Sequence, residues 1–219
     1  MPKPTIGDWR SGAHINFSLT SNKDNKNIFE GKDGKFSDLA YHAVGGLIKH
    51  GTSITAVACS TVNSYNGLVP IVGGFEGGVY TWAPTTMAYG DNNRSCMIRL
   101  PQNRFCIENR AADMCMNPYL SLALTTAAAL DGIKNKIDPG QPLNLNLYTL
   151  SPEEMEASNI KSLPRNLLEA IEALNEDDFA REVLGDSMLL QFFSYKKDEW
   201  DRYHQAVTDW EVQEFLRLY

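Results

Sequence analysis

The sequence predicts an α+β chain, with a strand-bearing half followed by a helical tail. Three observations predict it. Short β-like runs, "HINFSL", "SCMIRL" and "FCIENRA", fall in the first half. A long apolar stretch opened by Asn117-Pro118 reads as a helix. From Leu163 onward the pattern turns amphipathic at helical spacing.

Taken in order, the "IGDWRSGAHINFSL" stretch is a glycine-containing loop (Gly7, Asp8, Ser11, Gly12) that feeds an alternating strand carrying His14. A polar, lysine-rich excursion, "TSNKDNKNIFEGKDGK", follows. Apolar residues at Phe36, Ala40, Ala43, Val44, Leu47 and Ile48 then mark one helical face. Gly51 interrupts before a second short helical piece that runs to about Cys59. Residues 63–90 are rich in Gly, Pro and aromatics without helical period, which predicts loops and extended chain. "SCMIRL" and "FCIENRA" are strands joined by the turn-like "PQN". After Asn117-Pro118, "YLSLALTTAAALDGIKNKI" is apolar nearly all round and predicts a buried helix. "DPGQPLNLNLYTL" reads as a linker, and Ser151-Pro152-Glu153-Glu154 as a capping-box start. The organisation is therefore an α+β part over residues 1–140, with a linker and helical segment of the same domain over residues 141–219.

Composition narrows the function. The 219 residues are 43% hydrophobic and 21% charged, with a formal net charge of −7. That is a globular balance with no basic stripe, which argues against nucleic-acid binding. The longest apolar stretch is too short and too rich in Ala and Thr to span a bilayer. Four cysteines (Cys59, Cys96, Cys106, Cys115) show no CxxC pairing, so reduced thiols and a cytoplasmic location are expected.

Charged residues at loop and strand ends carry the chemistry. A lone strand histidine is more often a hydrogen-bonded structural residue than a ligand, so His14 gains meaning only beside other groups. Arg94 and Arg99 reach one site only if Arg94 lies in the turn before the strand. Two such guanidiniums suit an oxyanion-rich ligand such as a triphosphate, and two surface salt bridges are the alternative. Glu108 and Arg110 share a strand face, either as a self-paired couple or holding a divalent cation, Mg²⁺ or Mn²⁺, beside a carboxylate substrate. Glu76, in "VGGFEGGVY", is placed to sit on a lid. The sequence has no P-loop, GxGxxG, HExxH or GxSxG motif.

Taken together, "SGAHINFSL", "TVNSYNGLVP", "FEGGVYTWA", "NNRSCMIRL", "ENRAAD" and "NPYLSLALTTAAALDGIKNKIDPGQPLNLNLY" resemble the C-terminal catalytic half of the glutamine synthetase family. "TWAPTTMAYGDNNR" and "DWEVQEFLRLY" look most like the γ-glutamylmethylamide synthetase branch. The resemblance implies part of an antiparallel sheet from an open barrel, backed by helices, with a helical C-terminal tail and without the family's N-terminal β-grasp domain. It also implies an ATP-dependent ligase that joins glutamate to ammonia or methylamine through γ-glutamyl phosphate, with Mg²⁺ or Mn²⁺.

By motif, the resemblance makes His14 and Glu108 metal ligands, and Arg94 and Arg99 ATP- and phosphoryl-binding. Gly12 and Arg110 become substrate-binding, and Glu76 a catalytic flap residue. Three positions depart from the family pattern. Gly67 stands where an arginine is usual, Cys106 stands for a second arginine with Arg104 close by, and Asn16 stands for the second histidine of an HxH pair. The missing half implies association, as a homo-oligomer or with a chain that supplies it. The alternative is a non-catalytic relative acting as a structural or nucleotide-binding partner.

Overall fold

The computed structural model describes residues 1–5, 7–72, 79–158, 160–216 and 218. The expectation about Glu76 therefore lies outside the described residues.

The main sheet is built from β1 (Ile15–Phe17), β4 (Thr86–Asp91), β5 (Cys96–Leu100), β6 (Ile107–Asn109) and β7 (Lys161–Ser162), in the order β1-β6-β5-β4-β7. Two further short strands, β2 (Ile71–Val72) and β3 (Val79–Tyr80), pair with each other. The main sheet is mixed rather than wholly antiparallel: β1–β6, β5–β6 and β4–β7 are antiparallel, whereas β4 and β5 are parallel. Parallel neighbours usually need a long crossover. Here the chain reverses at Asn92 (φ +57°) and is back at Cys96, beside Thr86, within a few residues. Chain of that length reaches at most about 17 Å, close to the length of β4 itself, so the return has little slack. Side chains pin it. Asn93 donates to the carbonyls of Leu143 and Leu145 (2.6 and 2.8 Å), and the Ser95 hydroxyl accepts from the Leu147 N–H (3.2 Å). The segment read as a linker thus packs along the return and holds it in place.

Helices pack behind the sheet. α1 (Asp38–Lys49) starts at Ser37, whose hydroxyl caps the Ala40 N–H, and α2 (Gly51–Ala58) follows the break at His50. α4 (Pro118–Asn135) is capped by the Asn117 side chain, with Pro118 in the first turn as the sequence predicts. α1 and α4 touch backbone to backbone. A Cβ on Gly46 would overlap the Ala128 carbonyl oxygen, and one on Gly132 would overlap that of His42. The core joins Leu47, Ile54, Met97, Ile98 and Leu124 to Leu167, Ile171 and Leu174 of α6 (Leu167–Glu176). Leu189 of α8 (Asp186–Gln205) completes it.

Two further expectations are corrected. α4 is not buried all round: Tyr119 (84% exposed), Leu122 and Leu130 face outward, because α1, α2 and the helix at Asp178–Leu184 leave that side of it uncovered. Residues 63–90 are not free of helix. α3 (Val62–Tyr65) forms one turn, held by a Thr61/Ser64 capping box too local to show as hydrophobic period. The capping box at Ser151 opens α5 (Pro152–Ala157), as expected. The helical tail also contains α7 (Asp178–Leu184) and α9 (Asp209–Phe215). Among the described residues no helix is long and apolar enough to cross a membrane.

Candidate functional site

Strand register assembles the site. Asn16 of β1 lies opposite Glu108 of β6, and Glu108 lies opposite Arg99 of β5, so one row crosses three strands on one face. Ile107, the neighbour of Glu108, points the other way into the core, as strand alternation requires. A cavity of about 510 Å³ opens over the row, and His14, Asn16, Arg94, Arg99, Glu108 and Arg110 are among its lining residues.

Glu108 is the hub, and its side chain is 2% exposed. Oε1 receives Arg110 Nη1 at 2.7 Å and stands 3.0 Å from His14 Nδ1, while Oε2 receives Arg99 Nη1 at 2.7 Å. Burial alone would push the Glu108 carboxyl up. Hydrogen bonds from His14 and Arg110, with the charges of Arg110 and Arg99, outweigh it and hold the carboxyl at about 2. Glu108 is therefore a fixed anion at any physiological pH.

The arginines differ in how many donors they keep. Arg110 is buried and spends its donors internally, on Glu108, on the Arg94 carbonyl through Nε (3.1 Å) and on the Trp82 carbonyl (3.2 Å). Burial lowers its pKa and Glu108 opposes that shift. Arg99 is half-committed, through Nε to Asn92 Oδ1 at 3.0 Å, through Nη2 to the same oxygen, and through Nη1 to Glu108. Arg94 lies in the return before β5, the placement needed for it to share a site with Arg99. Among the described residues its side chain makes no hydrogen bond or ion pair, and it lines both this cavity and an adjoining one of about 570 Å³. Of the two, Arg99 forms an ion pair, with the buried Glu108, and among the described residues Arg94 forms none.

Gly12 sits at the cavity edge, bridged in antiparallel fashion to Asp113, with the Ala13 N–H bonded to the Ala112 carbonyl at 3.1 Å. Arg10 clamps the same loop, with Nη2 on the Ala112 carbonyl (3.1 Å) and Nη1 3.8 Å from the buried Asp113. Sequence reasoning misses Arg10. The signal is Gly67, because a Cβ there would come within 2.6 Å of Arg10 Cβ and Cδ, so the absent side chain makes room for Arg10.

His14 and Glu108 are two adjacent metal-competent donors. In the tautomer that carries its proton on Nδ1, facing Glu108, His14 leaves the Nε2 lone pair for a ligand. Both Glu108 oxygens already carry guanidinium protons, and no group of three His, Cys, Asp or Glu gathers among the described residues. Each carboxylate oxygen keeps a second lone pair, so the two side chains are of the donor type that a divalent ion takes.

Residues 1–215 match the family model "Glutamine synthetase, catalytic domain". The whole chain is 43% identical to the glutamate–methylamine ligase of Methyloversatilis universalis, covering 49% of that protein, and 43% identical to the glutamine synthetase of Methanosarcina mazei, covering 47% of it. A solved GmaS/ADP complex superposes with a TM-score of 0.85 at 38% identity, over 99% of this chain and 48% of that one. An apo GmaS structure gives 0.80 at 36% identity, over 99% and 47%. The chain spans about half the length of the curated relatives it matches. It belongs to the glutamine synthetase catalytic-domain family.

Proposed function

We propose that this cavity is part of the active site of an ATP-dependent carboxylate–amine ligase that makes a γ-glutamyl amide from glutamate and ammonia or methylamine. The observation that carries the reading is a set of guanidiniums converging on one buried, permanently ionised carboxylate beside a histidine, in a chain of net charge −7. Such a pocket draws an oxyanion-rich ligand into an otherwise acidic protein.

In this reading the γ-carboxylate of glutamate takes the terminal phosphoryl group of ATP, releasing ADP. The amine then attacks the carbonyl carbon and phosphate leaves. Arg94, with its donors free among the described residues, and Arg99 stabilise charge spread over the phosphoryl oxygens. The Gly12 loop approaches glutamate closely. Arg110 stands at the glutamate/phosphoryl side and holds Glu108 and the Arg94 carbonyl in register. His14 Nε2 and Glu108 would hold Mg²⁺ or Mn²⁺, which when bound neutralises polyphosphate charge. Glu76 is assigned to the flap that keeps water from the acyl phosphate. The proposed activity is that of the site together with the part of the family's catalytic unit that this chain does not span.

The test supplies that complement and measures phosphate release together with γ-glutamyl amide, with ammonia and with methylamine in turn. Equal amounts of phosphate and amide are expected with one of the amines. Tight Mg-ADP binding with no product from either amine would favour a second reading, a nucleotide-binding partner without turnover. The full commitment of both Glu108 oxygens to arginines supports that alternative.

A further inference from the structure

We propose that Arg104, aimed by Asn16, is a further oxyanion-binding residue of the cavity. The proposal rests on the functional reading above and adds to it a residue brought in from outside the Arg94–Arg99 pair. Arg104 precedes β6, is 54% exposed, and lines the cavity with Arg94 and Arg99. Its guanidinium has five N–H donors. Nη2 donates to Asn16 Oδ1 at 2.9 Å and stands 4.0 Å from Glu108 Oε2. Among the described residues its other donors meet no protein acceptor within hydrogen-bond distance.

The tether is specific. Asn16 lies opposite Glu108 in the ladder, and its own Nδ2 donates to the His14 carbonyl at 3.3 Å, which leaves Oδ1 turned toward Arg104. Cys106, two residues on, reaches the same oxygen only at 3.8 Å, too weakly to compete. The guanidinium is thus fixed at one corner and open at the others, at the Asn16 end of the Glu108 row. Glu108 is already neutralised by Arg99 and Arg110 at 2.7 Å each, so the Arg104 charge remains for a ligand. A bidentate fork held this way fits a phosphate or carboxylate oxygen pair.

The experiment titrates Mg-ADP and, separately, glutamate into the chain and its variants, each assembled with the complement used in the activity test, by calorimetry, with thermal melts as the fold control. Arg104→Gln should weaken at least one probe roughly tenfold, the usual effect of losing a charge-assisted hydrogen bond, with an unchanged melt. Arg104→Lys should recover part of the loss by keeping the charge without the fork, and Asn16→Ala should weaken the same probe by about half the logarithm of the Gln effect. A loss for Mg-ADP assigns the oxyanion to phosphate, and a loss for glutamate assigns it to carboxylate. If Arg104→Gln binds both probes within about twofold of the parent while Arg94→Gln does not, the proposal fails and the functional reading stands. If the parent binds neither probe, both fall.

Discussion

The contact between α1 and α4 and the floor of the cavity are both tightly built, but they are tight for opposite reasons. Between the helices, Gly46 and Gly132 let backbones meet, and what is excluded is size. Around Glu108, the groups are large and hydrated by nature, and what holds them is charge balance: one carboxylate against Arg99, Arg110 and His14. The first arrangement stabilises through dispersion and buried apolar area. The second contributes little net stability, because desolvation offsets the Coulomb gain. What it provides is a fixed anion and an aimed set of donors.

That contrast can be broken from either side. Glu108→Gln keeps the shape and removes the charge, leaving two guanidiniums without their anion. A loss of about 3–5 kcal/mol in denaturant unfolding is expected, partly relieved by added anions such as phosphate. The same logic sets the acid limit. Because the Glu108 pKa is depressed to about 2 from an ordinary 4.5, its contribution is present above about 4.5 and is lost as pH falls from there toward 2. The parent should weaken across that window more steeply than Glu108→Gln does. Next in size, Gly46→Ala changes no charge and adds one methyl against the Ala128 carbonyl. It should cost about 1–3 kcal/mol with no dependence on phosphate or on acid. If Gly46→Ala proved phosphate-sensitive, or Glu108→Gln proved silent, the division between size-limited and charge-limited regions would be wrong. The smallest effect belongs to Arg94→Gln. An exposed side chain without protein partners among the described residues should change stability by less than about 0.5 kcal/mol while weakening Mg-ADP binding.

How much of this is legible in the sequence follows the same division. α4 is readable because its start is written locally, in Asn117 and Pro118. β5 and β6 are readable from short apolar runs. β4 is not, because "TMAYGD" lies in a Gly- and Pro-rich stretch and becomes a strand only by pairing with Cys96–Leu100 and with Lys161–Ser162 much further along the chain. The outward face of α4 escapes sequence reading because an all-apolar pattern does not say which side is covered. For the cavity, the pairing of Glu108 with Arg110 is visible as a two-residue spacing. The join of Asn16, Glu108 and Arg99 is not, since strand register across β1, β6 and β5 is a tertiary fact. Arg10 and Gly67 lie far apart in the chain, and only packing reveals that one fills the space the other leaves.

The guanidinium cluster around Glu108 is the proposed oxyanion site for a phosphorylated ligand, and a crystal structure with Mg-ADP bound decides it. Phosphate density is expected in the 510 Å³ cavity within hydrogen-bond reach of Arg94 and Arg99. A nucleotide bound elsewhere on the chain, with Arg94 left unliganded, would contradict it.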